Sequence, residues 1–159
     1  MGARAERREN YRYRVDIPTR WMDGDPYGHV NNVIYYSWFD TAVTRMMYQR
    51  EVLSLHGAGP IGLCIESQCR FFAPVEFPQT VDAQIRIGRM GETSLRYELA
   101  LFLDGRDEPV AVGHFVHVFV DRETRKPTPL SAEQKARIAD LVVDAGSASH
   151  ESDSGIKPR

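Results

Sequence analysis

Between Asn32 and Leu53 the apolar side chains recur at steps of three and four, as Tyr35, Trp38 and Phe39, Ala42 and Val43, then Met46 and Met47. That period lays a stripe along one face of a helix. It predicts a long helix over 32–53, with Asn31 or Asn32 as N-cap and HGAGP at 56–60 as its stop. Ahead of it, YRYRVDIPTRW (11–21) alternates in part and opens as a strand, with Pro18 marking an edge or a bulge. Behind it come IGLCIESQCRFF, TVDAQIRIGRM, SLRYELALFL and EPVAVGHFVHVFVD, four strand-like runs separated by APVEFPQ, GE and LDGRD. The DG and GE pairs are tight-turn signals, so the last three runs should form an antiparallel meander. SAEQKARIADLVV then reads as a short C-terminal helix capped by Ser131.

The order strand, long helix, antiparallel strands makes an α+β chain in which a curved sheet covers one strongly apolar helix of about five turns. Val33, Ile34, Tyr36 and Tyr48 fall off the main stripe, and either self-association or a buried edge would cover them. Residues 1–10 and 145–159 carry too little apolar surface to offset the entropy of ordering them. One domain over 11–144 is expected, between a flexible N-terminus and a disordered tail.

Composition narrows the function. The net charge is −2 with acids and bases interspersed, which gives no electrostatic case for nucleic acid or an anionic membrane surface. No apolar run reaches the ~20 residues that span a bilayer, and MGARAERREN lacks the apolar core of a signal peptide. Cys64 and Cys69 are the only cysteines. Five apart on a regular strand, they would point to opposite faces and could not pair. They read as reduced thiols of a cytoplasmic protein.

The densest chemistry is RWMDGDPYGHVNNVIYYSWFD, residues 20–40. Asp25 stands just before a helix N-terminus, whose free N–H groups favour negative charge. There it could cap the helix, the favoured reading on spacing alone, or act as nucleophile or general base. The same N–H groups could hold an oxyanion, a term worth about 2.7–4 kcal/mol per donor. Pro26 restricts the turn and Gly28 permits a positive φ. Asp23 reads as a residue that orients its neighbours, and His29 as either a proton-transfer group or a backbone hydrogen-bonding partner. Tyr35, Trp38 and Phe39 fit core or interface, with one or two available to line an acyl pocket. Asp23, Asp25 and His29 lack a fourth ligand and make no metal site. His114 and His117 receive no role, and RETRK (122–126) reads as a solvated turn.

The D-x-D-x-x-G-H-V-N-N-x-x-Y pattern, with the long helix after it and VFVD…RKP closing the last strand, resembles the hotdog-fold acyl-CoA thioesterases. The likeness is to the 4-hydroxybenzoyl-CoA thioesterase-like family and covers about residues 11–130. The resemblance implies a sheet wrapped around the central helix, and a homodimer or homotetramer with active sites at the subunit interface. It also implies hydrolysis of an acyl-CoA thioester without metal or organic cofactor. Carried onto this chain, it makes Asp25 the catalytic carboxylate and the backbone N–H near Asn32 the group that polarises the carbonyl. Arg89 is the nearest match to the family's CoA-phosphate contacts. With it, the catalytic reading of Asp25 displaces the capping one.

A related branch acts on thioesters of acyl-carrier protein and uses an Asn and a His, which would give His29 more weight. Hotdog enoyl-CoA hydratases have Asp and His five apart, whereas Asp25 and His29 are four apart. A non-catalytic acyl-binding protein would have no need of Asp25.

Overall fold

The computed structural model describes residues 6–54 and 56–143. The expectations for residues 1–5 and for the tail at 145–159 therefore lie outside the described residues. Six elements build the fold, namely β1 (Tyr13–Pro18), α1 (Asn32–Gln49), β2 (Ile61–Phe71), β3 (Thr80–Met90), β4 (Ser94–Leu103) and β5 (Ala111–Val120). A single turn of helix, α2 (Ala132–Ala136), follows. The five strands form one sheet in the order β1-β3-β4-β5-β2, and every neighbouring pair is antiparallel. β3, β4 and β5 make the expected meander. β1 and β2 are the two edges, and Pro18 closes β1 where a missing N–H costs no ladder bond.

α1 lies against one face of this sheet and buries Tyr35, Trp38, Phe39, Ala42, Val43, Met46 and Met47, the stripe read from the sequence. Across from it stand Ile85 and Ile87 of β3, Leu95, Tyr97, Leu99 and Leu101 of β4, and Phe115 and Phe119 of β5, all in one core. The contact is close enough to dictate a glycine: a Cβ on Gly113 would collide with the Phe39 ring and with the Gln68 carbonyl oxygen. Among the described residues no helix is long and apolar enough to cross a membrane.

Three local readings need correction. The helix ends at Gln49, not at residue 53, because Glu51 turns left-handed at φ 53°. The Val52 N–H then reaches back to the Met47 carbonyl at 2.9 Å, a Schellman-type end that buries Val52. The two cysteines share a face, because a bulge between Cys64 and Glu66 shifts the register. Cys64 pairs with His117 and Cys69 with Gly113, four apart on β5 and hence on the same side. Finally, the C-terminal helix stops after Ala136, and the chain continues through a 3₁₀ turn at Ala139–Leu141.

The N-terminal stretch also packs from residue 6 onward. Arg86 holds the Glu6 carboxylate at 3.0 Å and Arg8 holds Asp82 at 3.1 Å. Tyr11 stacks edge-on against Phe102 over the face away from α1.

Candidate active site

The turn from Arg20 to Asn31 brings the helix N-terminus to the edge of the core, and two sets of bonds shape it. Asp23 is buried. Its carboxylate accepts the Arg20 backbone N–H at 2.8 Å and the Arg20 Nε–H at 2.9 Å, while its carbonyl accepts the Asn31 N–H at 2.8 Å. The Val30 N–H donates to the Val75 carbonyl at 2.8 Å, tying the turn to the segment that leads into β3. Asp23 is thus the turn's fastening, as read from the sequence.

Asp25 points the other way. Its backbone N–H donates to the His29 carbonyl at 2.8 Å, and its carbonyl accepts the Gly28 N–H at 3.1 Å. That reversal requires Gly28 at φ 86°, a conformation that costs glycine little. The Asp25 carboxylate accepts the Tyr27 N–H on Oδ1 at 2.8 Å and is drawn toward the His29 N–H at 3.4 Å. Among the described residues its Oδ2 has no partner. Asp25 is therefore not the helix cap. That place belongs to Asn31, whose side chain accepts the Val33 N–H at 3.1 Å. The N–H of Asn32, the first helical residue, has no partner among the described residues.

Asp25, His29, Asn32 and Tyr35 line one cleft of about 400 Å³ with Phe71 and Phe72 at the end of β2. Tyr35 forms its wall, with ring centroids 4.9 Å from Trp38 and 5.0 Å from Phe71, and burial pushes its phenol pKa up. Four of the five residues singled out from the sequence thus meet at one place. Arg89 does not. It sits near the far end of β3, while the helix N-terminus lies by the Thr80 end, about 30 Å along the strand.

Three residues beside Asp25 escaped the sequence reading. Glu76 brings its Oε1 to 3.7 Å from His29 Nε2, and Phe77 packs edge-on against Trp21 at 5.7 Å. With Asp25, Gly28 and His29 they border a second cleft of about 300 Å³. The APVEFPQ connector that supplies Glu76 and Phe77 carries no spacing signal, so only the tertiary fold brings it to the turn. No group of three His, Cys, Asp or Glu side chains among the described residues is arranged to hold a metal. Asp23 in particular is committed to Arg20.

The site places a carboxylate residue and a helix N-terminus on the lining of one cleft, beside Tyr35, Phe71 and Phe72. Such a site can present an anionic oxygen to a carbonyl carbon and an N–H donor to the carbonyl oxygen.

Comparison with solved structures agrees with this architecture. The PA5185 protein from Pseudomonas aeruginosa strain PAO1 is 47% identical, with 86% of this chain and 95% of that one covered at a TM-score of 0.82. The PA2801 protein from Pseudomonas aeruginosa is 30% identical, covering 79% and 96% at 0.73. Slr0204, a 1,4-dihydroxy-2-naphthoyl-CoA thioesterase from Synechocystis, shares the fold at 18% identity, covering 81% and 96% at 0.72. A search of curated protein sequences gave no match. The family model of the thioesterase-like superfamily matches residues 19–138, which span the turn, the helix and all the strands after it. The chain belongs to the thioesterase-like superfamily, with the hotdog fold of a sheet wrapped around its central helix.

Proposed function

We propose that this thioester hydrolase cleaves acyl-CoA to a free acid and CoA, with Asp25 as nucleophile or general base and the Asn32 N–H as the oxyanion donor. The observation that carries this reading is the shared cleft: Asp25 and Asn32, the first residue of α1, border the same space. The thioester carbonyl oxygen accepts the Asn32 N–H, and the carbon faces Asp25 Oδ2. Either Asp25 attacks directly, forming an anhydride that water then opens, or it takes a proton from water as that water attacks. In both routes the carbon–sulfur bond breaks, a carbon–oxygen bond forms, and CoA leaves as the thiolate that takes up a proton. His29, with Glu76 beside it, is available for that proton transfer.

The reading includes a homodimer joined along β2. β2 is an edge of eleven residues that lacks the Pro and Lys with which lone edges are usually protected. It exposes Leu63, Ile65 and Phe71. Antiparallel pairing of β2 with its copy would continue the sheet and put a second chain beside the Phe71–Phe72 wall of the cleft. The twofold axis of such a pair inverts the strands, so the partner's Arg89 would lie at the same end of the double sheet as Asp25. That gives Arg89 a path to the CoA phosphates which it lacks within one chain.

The test is release of free CoA from acetyl-, hexanoyl-, palmitoyl-, benzoyl- and phenylacetyl-CoA by the wild-type chain and by Asp25→Asn. The expected outcome is cleavage of at least one thioester and a loss of ~10²–10⁴-fold in the variant, the range for removing a general acid–base group. Equal rates would remove Asp25 from the mechanism. Light scattering should give twice the chain mass, and a fully active monomer would sink the interface reading.

A further inference from the structure

Asp25 and His29 border two clefts, not one. A thioester has two arms leaving its carbonyl carbon, the acyl group and the thiol arm of the carrier, so a carbonyl held at Asp25 can send one arm into each. The two clefts differ in charge and in shape. The one beside Tyr35 ends at Phe72, over whose ring the Arg70 guanidinium stands at 5.8 Å. The other is bordered by Trp21 and Phe77, whose rings meet edge-on at 5.7 Å, and has Glu76 on its rim.

That asymmetry sorts the arms. CoA carries its phosphates at the end of the thiol arm, and an anion is favoured on the Arg70 side and disfavoured beside Glu76, the one acid that borders the second cleft alone. The second cleft suits an apolar group. Trp21 is 83% exposed and Phe77 47% exposed, large apolar surfaces that a monomeric protein seldom leaves open without use. Trp21 is held by the 3₁₀ turn of Trp21–Asp23, which buried Asp23 fastens, so the ring is presented from a fixed backbone. At about 300 Å³ the cleft is at the lower end of small-molecule sites, which favours a compact acyl group over a long chain.

Resting on the acyl-CoA reading above, we propose that the Trp21–Phe77 cleft receives the acyl group and sets acyl specificity. It selects compact apolar acyl chains, and Glu76 rejects those that end in a carboxylate. Glu76 is then a specificity residue beside the reacting centre, a role separate from any partnership with His29.

The experiment measures kcat/KM for acetyl-, hexanoyl-, phenylacetyl-, palmitoyl- and glutaryl-CoA, along with inhibition by desulfo-CoA, for wild type, Trp21→Ala and Glu76→Gln. In wild type, hexanoyl- and phenylacetyl-CoA should exceed acetyl-, palmitoyl- and glutaryl-CoA. Trp21→Ala should cost about 10-fold or more on hexanoyl- and phenylacetyl-CoA and progressively less as the acyl group shrinks, in keeping with the 10–200-fold worth of one apolar increment in a pocket. Glu76→Gln should raise glutaryl-CoA relative to hexanoyl-CoA by about 5-fold or more, the size of one removed like-charge repulsion near a protein surface. Desulfo-CoA should inhibit all three proteins alike. The proposal fails if Trp21→Ala lowers every substrate by one factor and weakens desulfo-CoA, for then the cleft holds the thiol arm. It also fails if neither variant alters the substrate ranking. Should wild type cleave none of the thioesters, the acyl-CoA reading itself has failed, an outcome separate from the other two.

Discussion

Asp23 and Asp25 stand two residues apart in one turn, yet they belong to different regions of it. Asp23 is on the floor, buried, with its carboxylate committed to Arg20. Asp25 is on the rim of the cleft, with one oxygen bonded to the Tyr27 N–H and the other without a partner among the described residues. The floor, with Val30, Asn31 and Val75, spends its hydrogen bonds on holding the backbone. The rim, with Trp21, Glu76 and Phe77, leaves its groups open to a ligand. The difference teaches that residue type and spacing do not separate an acid committed to its own backbone from one left available to a ligand, whereas the partners of each carboxylate oxygen do.

The comparison breaks if the two aspartates behave alike. Asp25→Asn keeps the Oδ1 acceptor for Tyr27, so it should lower hydrolysis by ~10²–10⁴-fold while shifting the urea midpoint little. Asp23→Ala should do the reverse. It removes the carboxylate's charged hydrogen bonds to Arg20, each worth about 1.5–3 kcal/mol at most. Because Arg20 is itself exposed and can turn to water, a net loss of about 2 kcal/mol is expected. The activity per folded molecule should fall far less than in Asp25→Asn. A rate collapse in Asp23→Ala at unchanged stability would put both acids on the rim.

Much of this division could be read in the chain and some could not. The α1 stripe declared itself because buried helical positions repeat, and the meander because tight turns have their own residues. The end of α1 was misplaced because a left-handed Glu51 is rare for a residue other than Gly or Asn and nothing local announces it. The facing of the cysteines was misread because a bulge is one extra residue without a composition of its own. At the site, the motif pointed to Asp25, His29, Asn32 and Tyr35, which are close in sequence and meet at one helix end. Glu76 and Phe77 arrive from some fifty residues away, and their meeting with Trp21 depends on the Val30–Val75 bond. No periodicity encodes it. Arg89 came from the resemblance alone, as the nearest match to the family's CoA-phosphate contacts, and within one chain β3 carries it away from the helix N-terminus.

A smaller effect sharpens the floor. Asn31→Ala removes the cap that accepts the Val33 N–H and should cost about 1 kcal/mol in urea unfolding, the usual worth of an N-cap. Asn31→Asp should restore it, since a carboxylate caps as well and suits the positive end of the helix. If the Ala variant loses activity out of proportion to stability, the cap also sets the aim of the Asn32 N–H, and floor and rim are coupled.

An effect seen only on acidification lies under α1, where satisfied and unsatisfied polar groups can be compared again. Both carboxylate oxygens of Asp23 have partners, whereas among the described residues His117 Nδ1 and the Tyr97 hydroxyl are buried without one, their rings 5.1 Å apart. Burial lowers the His117 pKa from its usual 6.5, and the charge of Asp40 on α1 opposes this in part. Above about pH 6.5 the imidazole is neutral in folded and unfolded chains alike, so it makes no pH-dependent contribution. As pH falls through that value, the unfolded chain takes up a proton that the folded chain refuses. Stability should therefore decline until the pH passes the lowered folded pKa, at no more than about 1.4 kcal/mol per pH unit for one proton. Urea unfolding of wild type and His117→Gln between pH 8 and pH 5 isolates the effect, because the two chains differ in no other titratable group. The variant should be less stable than, or equal to, wild type at pH 8 and should lose less on acidification. Parallel curves would mean that His117 takes up its proton in the folded state as readily as in the unfolded one. The buried face of the sheet would then be as well satisfied as the floor of the turn.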